Sequence, residues 1–139
     1  MPNNPESGIP ATSQSDRRTV LFVDDDEAVR MTVSFALQHL GYEVLQAAGA
    51  AEALKLMVGH PGLDLMITDI RMAEMSGLDL AQTAREHHPR MRVMFCTGAT
   101  PEWLAEQGVE VDANLYILKP VSLADLKAKL ERAFGGAHD

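Results

Sequence analysis

The sequence predicts an α/β fold: a doubly wound, five-stranded parallel sheet with helices on both faces. Three observations predict it. Short apolar runs of strand-favouring residues recur from Thr19 onward, each is followed by a stretch with apolar residues at helical spacing, and the two kinds of segment alternate five times. Repeated strand–helix units imply parallel strands covered on both faces, and the right-handed crossover rule leaves the doubly wound arrangement as the simplest.

Val20 to Val23 is the first strand, a run of β-formers flanked by charge. Glu27 to Leu40 reads as a helix, with Val29, Val33, Leu37 and Leu40 on one face and Gly41 as its stop. Tyr42 to Ala47 is the second strand. Ala50 to Val58 is a short helix, ended by Gly59 and the Pro61-Gly62 turn. Leu63 to Thr68 is the third strand, Ser76 to His87 the third helix, and Met91 to Cys96 the fourth strand. Pro101 to Gln107 starts a short helix with proline in its first turn. Leu115 to Leu118 is the fifth strand. Ser122 to Phe134 is the last helix, capped by Ser122 with Asp125 and lined on its core face by Leu123, Leu126, Leu130 and Ala133.

At 139 residues the chain fits one domain. Residues 1–16, rich in Pro, Ser, Asn and Thr, bury too little to offset their ordering entropy and are expected as a mobile tail. The domain is expected over 17–135, with a short tail at 136–139. The net charge is −8, from 20 acidic and 12 basic residues, which argues against direct nucleic-acid binding. A lone cysteine, Cys96, excludes an intrachain disulfide and fits a reducing compartment. Neither a secretory signal nor a membrane-spanning run is present in this sequence, so the expected compartment is the cytoplasm, with no membrane partner.

In a doubly wound sheet, ligands bind at the carboxyl ends of the strands. Four ends carry chemistry here: Asp24-Asp25-Asp26-Glu27 after the first strand, Asp69 after the third, Thr97-Gly98 after the fourth and Lys119-Pro120 after the fifth. Crowded carboxylates repel, and a hard divalent cation relieves this; Mg²⁺ suits a site with one or two carboxylates because water and phosphate oxygens complete its octahedron. A carboxylate there can act as nucleophile toward a phosphoryl group, with Lys119 countering the charge on the transferring oxygens and Thr97 offering a hydroxyl. Taken singly, each feature has a plainer role: the acids as a helix cap, Asp69 and Thr97 as turn residues, Lys119 as a solvated lysine. Four such residues at four strand ends favour the chemical reading.

With Phe22-Val23-Asp24-Asp25-Asp26, Thr68-Asp69-Ile70-Arg71-Met72 followed by Gly77, Thr97-Gly98 and Lys119-Pro120, residues 18 to 135 resemble the receiver domain of two-component response regulators. The resemblance implies strand order 2-1-3-4-5 and a phosphorelay role. Asp69 would be the phosphoacceptor, loaded by a histidine kinase or histidine phosphotransfer protein. Asp24, Asp25, Asp69 and the Arg71 carbonyl would serve Mg²⁺, Asp25 as a direct ligand and Asp24 through metal-bound water. Lys119 and Thr97 would act with Asp69. Thr97 and Tyr116 would be the switch pair, Tyr116 turning inward on phosphorylation and altering the surface around the fourth helix, fifth strand and fifth helix. Arg71 and Ala99 would flank the phosphoryl group and set its lifetime. The chain departs from the family in having Ala73 where proline is usual, and in its short segment from Thr100 to Asn114. A stand-alone regulator is the first expectation, and a receiver from a longer hybrid kinase or regulator the second.

The expectation is not an enzyme, beyond catalysing its own phosphoryl transfer and loss. An aspartate-nucleophile phosphohydrolase needs an acid two residues past the nucleophile, where this chain has Arg71. A flavodoxin-like electron carrier would set its cofactor phosphate against Asp24-Asp25-Asp26, which repels it. A docking module that is never phosphorylated has no need of the intact acid, hydroxyl and lysine set. His87 and His88 read as surface histidines, Cys96 as a small buried hydrophobe, and Trp103 as a residue packed on the sheet, with a partner anchor as the alternative.

Overall fold

The computed structural model describes residues 17–110, 112 and 115–134. The tails expected at 1–16 and 136–139 lie outside these residues. The elements are β1 (Thr19–Val23), α1 (Glu27–His39), β2 (Glu43–Ala47), α2 (Ala50–Gly59), β3 (Leu65–Thr68), α3 (Gly77–His87), β4 (Arg92–Thr97), α4 (Pro101–Glu106), β5 (Tyr116–Leu118) and α5 (Leu123–Phe134). The strands form one parallel sheet in the order β2-β1-β3-β4-β5, as expected.

Side chains on the inner strands alternate between two apolar layers because successive residues of a strand face opposite sides. Leu21, Val23, Met66, Val93, Phe95 and Tyr116 face the layer built with α2, α3 and α4. Val20, Phe22, Leu65, Ile67, Met94, Cys96 and Ile117 face the layer built with α1 and α5. Burial on both faces is why the β1 and β3 sequences are apolar runs without polar alternation.

The helix boundaries follow local chemistry. Asp26 caps α1 by accepting the Val29 N–H at 3.2 Å. Beyond Leu40, Gly41 takes φ +100°, and the Gly41 and Tyr42 N–H groups close back on the carbonyls of Gln38 and Leu37. This left-handed termination is the one glycine adopts without a Cβ clash. Ser76 caps α3 through the Asp79 N–H and Ser122 caps α5 through the Asp125 N–H, each at 3.1 Å. α2 runs through Gly59 rather than stopping before it, and closes at His60.

The core face expected for α5 needs one correction. Leu126, Leu130 and Ala133 are buried, but Leu123 is 48% exposed. It occupies the first turn, immediately after the connection from β5, where the helix is only beginning to pack on the sheet. No helix among the described residues is long and apolar enough to cross a membrane.

Candidate functional site

Parallel register brings the strand ends together. Val23 lies level with Thr68, so the next residues, Asp24 and Asp69, emerge side by side. Each is held by one more backbone bond: Asp24 N–H to Ala47 O and Asp69 N–H to Val23 O, both at 3.1 Å. Thr97 lies level with Leu118, and the Lys119 N–H donates to Thr97 O at 2.9 Å. A cis peptide bond joins Lys119 to Pro120.

The Lys119 ammonium donates to Asp24 Oδ2 and to Asp69 Oδ2, at 2.7 Å in each case. Asp24 is almost fully buried and Asp69 nearly so. The other Asp24 oxygen accepts the Asp26 N–H at 2.9 Å, and the other Asp69 oxygen accepts the Arg71 N–H at 3.3 Å. Burial alone would lower the Lys119 pKa; hydrogen bonds and charge attraction from Asp24 and Asp69 outweigh it and raise the group above the ordinary lysine value. The ammonium is therefore charged, and one cation serves two carboxylates, leaving the triad net negative.

Thr97 is buried, with its hydroxyl oxygen accepting the Ala99 N–H at 3.4 Å. Lys119, Asp24 and Asp69 thus meet at one sheet edge, and Thr97 ends β4 at that same edge. Asp25, next to Asp24 in the chain, is exposed and lines a groove with Gly49, Glu52, Met72 and Glu74. Among the described residues no three carboxylate, imidazole or thiol side chains gather into a metal cage. The donor set beside Lys119 is two carboxylates with backbone carbonyls nearby, which fits a hard cation that keeps water among its ligands better than one held wholly by protein.

The backbone of the acceptor loop is pinned by glycine. A Cβ on Gly77 would lie 1.9 Å from the Asp69 carbonyl oxygen, and the Gly77 N–H donates to Ile70 O at 2.8 Å. Only a residue without a side chain lets α3 start this close to the strand end. Arg30 was not anticipated from the sequence: its guanidinium donates to the Asp24 carbonyl at 2.8 Å. The signal was available, since Arg30 follows the acidic run by one helical turn. In that run the two readings divide, with Asp26 the cap and Asp24 the buried site residue.

Three other expectations resolve here. Trp103 does not pack on the sheet; it is 40% exposed with the Arg71 guanidinium 4.4 Å above its ring, while Leu104 beside it on α4 takes the buried position. Helical geometry turns adjacent residues to different faces, so only one of the two can enter the core. Tyr116 is already inward, 4% exposed and in the same apolar layer as Leu104, with its hydroxyl unpartnered. Burial, then the charge of Glu102, push its pKa up. Cys96 is buried, as expected.

The response regulator receiver domain family matches residues 20–131. Sensor kinase CckA of Brucella abortus is 38% identical over 118 residues, 84% of this chain, which spans only 12% of that kinase's length. The probable chemotaxis protein CheY of Rhizobium etli is 30% identical, the match covering 88% of this chain and 97% of that protein. The high-resolution structure of the chemotaxis response regulator CheY4 of Vibrio cholerae superposes with a TM-score of 0.74 at 30% identity, over 85% of this chain and 99% of that one.

Proposed function

The chain belongs to the response regulator receiver domain family of two-component signalling, and from that premise we propose that Asp69 is its phosphoacceptor. The observation that supports this most is the single Lys119 ammonium held 2.7 Å from both Asp24 and Asp69. An ammonium in that position can stay on Asp24 while its bond to Asp69 moves to a phosphoryl oxygen.

The donor is a phosphohistidine, carried by a histidine kinase or histidine phosphotransfer protein. An Asp69 carboxylate oxygen bonds to phosphorus, the phosphorus–nitrogen bond breaks, and the electron pair returns to the imidazole. Thr97 donates its hydroxyl hydrogen to a phosphoryl oxygen, and Lys119 donates to another. Asp24, Asp25, Asp69 and the Arg71 carbonyl are the oxygens that would hold Mg²⁺, which when bound supplies positive charge against the transferring oxygens. Thr97, drawn to the phosphoryl group, would repack the α4–β5–α5 surface that a downstream protein reads. Tyr116 needs no inward turn to take part, since its ring is already buried.

Likeness to the kinase over 84% of this chain, and to the Rhizobium protein over nearly its whole length, supports one module with two settings: a stand-alone regulator, or a receiver within a longer protein. The first is the reading we favour. In either setting the module catalyses only its own phosphoryl transfer and loss.

Incubation with acetyl phosphate and Mg²⁺ should add one phosphoryl group by intact mass. Asp69→Asn should take up none, and chelating the metal should suppress uptake. Wild-type chain left unmodified after such treatment would defeat the proposal and favour a docking module.

A further inference from the structure

Arg71 lies two residues past the acceptor, in an acid-rich site, yet among the described residues no carboxylate forms an ion pair with it. Its side chain is exposed, and its guanidinium rests 4.4 Å over the indole of Trp103. The helix that carries the indole is firmly set. The Thr100 hydroxyl accepts the Trp103 backbone N–H at 3.1 Å, Pro101 sets the first turn, and Leu104 anchors α4 in the core at 1% exposure. At its far end Gly108, at φ +82°, lets the Val109 N–H close on Leu104 O at 2.8 Å. Arg71, by contrast, is a long arm tethered at its backbone to Asp69 Oδ1.

We propose that Trp103 is a positioning residue for Arg71: its indole holds the guanidinium on α4 while Asp69 is free, and yields it to the phosphoryl oxygens once Asp69 is phosphorylated. The inference rests on Asp69 being the acceptor. Its physical basis is a competition. An exposed cation–π contact is weak, whereas a guanidinium on phosphate makes charge-assisted and often bidentate hydrogen bonds, about twice as strong as neutral ones. Phosphorylation replaces a carboxylate of one negative charge by a group carrying about 1.5 to 2, on the side chain that the Arg71 backbone N–H already meets at 3.3 Å. The guanidinium then leaves the ring. Lying across the phosphoryl oxygens, the guanidinium shields phosphorus from attacking water and so slows the loss reaction, in which water oxygen bonds to phosphorus, the bond to Asp69 breaks, and orthophosphate departs.

Trp103 is the only tryptophan in the chain, so its emission reports the contact directly. Resting Arg71→Ala should differ in emission from resting wild type. Phosphorylation by acetyl phosphate and Mg²⁺ should move the wild-type emission toward that of Arg71→Ala and leave Asp69→Asn unmoved. Trp103→Leu frees the guanidinium and should lengthen the half-life of the phosphorylated chain by about 2- to 5-fold, the scale of one exposed cation–π contact. Trp103→Phe should fall between the two. Arg71→Ala should shorten the half-life, and adding Trp103→Leu to it should change nothing more. A Trp103→Leu effect that persists without Arg71 would mean that the ring acts through packing, and the inference would fall alone. So would an unmoved wild-type emission in a chain whose mass shows phosphorylation. If no chain takes up phosphate, the acceptor assignment falls, and the inference with it.

Discussion

The Lys119 ammonium holds an Asp24 carboxylate oxygen at 2.7 Å across 95 positions of sequence, and the same nitrogen holds Asp69 at the same distance. Removing it leaves two adjacent buried acids with no cation. Lys119→Met should therefore lower stability by about 1.5–3 kcal/mol, the range for hydrogen bonds to charged groups, as read by urea unfolding at neutral pH. Mg²⁺ should restore more stability to the variant than to wild type, because the freed carboxylates suit a hard cation. Equal responses of the two chains would show that the cation does not use these oxygens.

The same contact sets a pH dependence. The folded-state Lys119 pKa is raised by its two acids, so the stability it contributes is complete below the unfolded lysine value, about 10.4, and is lost as pH climbs through the folded value. The gap in unfolding free energy between wild type and Lys119→Met should stay level from about pH 7 to 9 and close only in stronger alkali. A gap that narrowed below pH 9 would contradict the pairing.

Cys96 lies behind the site on β4, and burial, aided by the charges of Asp24, Asp69 and Asp125 against that of Lys119, pushes its thiol up to about 12. A thiol so protonated and enclosed is a poor nucleophile. In the folded chain at pH 8, iodoacetamide should alkylate Cys96 at least ~100-fold more slowly than in urea. Comparable rates would show that β4 opens readily.

Gly77→Ala would set a Cβ 1.9 Å from the Asp69 carbonyl oxygen, and the backbone on both sides has to give. A loss of about 3 kcal/mol or more is expected, with reduced phosphoryl uptake because Asp69 itself is displaced. Gly62→Ala, where an added Cβ meets nothing within 4 Å, should stay within about 0.5 kcal/mol of wild type. Thermal unfolding of the two variants separates site geometry from a general intolerance of alanine.

On α5, Leu130 is fully buried and Leu123 is 48% exposed. Leu130→Ala should cost about 2–5 kcal/mol through lost transfer and a cavity, and Leu123→Ala less than about 1 kcal/mol. Urea midpoints would test this directly, and similar costs would return Leu123 to the core.

Strand and helix identities were legible in the residues because they are set locally, by runs of two-sided burial, by 3.6-residue spacing and by caps such as Ser122. Their ends were less so: β3 begins at Leu65 rather than Leu63, and α2 runs into Gly59. The convergence of Asp24, Asp69, Thr97 and Lys119 was also legible, since a parallel sheet sends all its carboxyl ends to one edge.

Partner choice within that edge was decided by tertiary structure alone. Nothing in the spacing says that one ammonium is shared by Asp24 and Asp69 while Asp25 stays exposed, that Trp103 meets Arg71 rather than the sheet, or that Gly77 touches the Asp69 backbone. These contacts depend on inter-strand register and on the path of loops between distant elements. Periodicity reports which face of an element is buried. Which neighbour it meets there is a property of the assembled sheet.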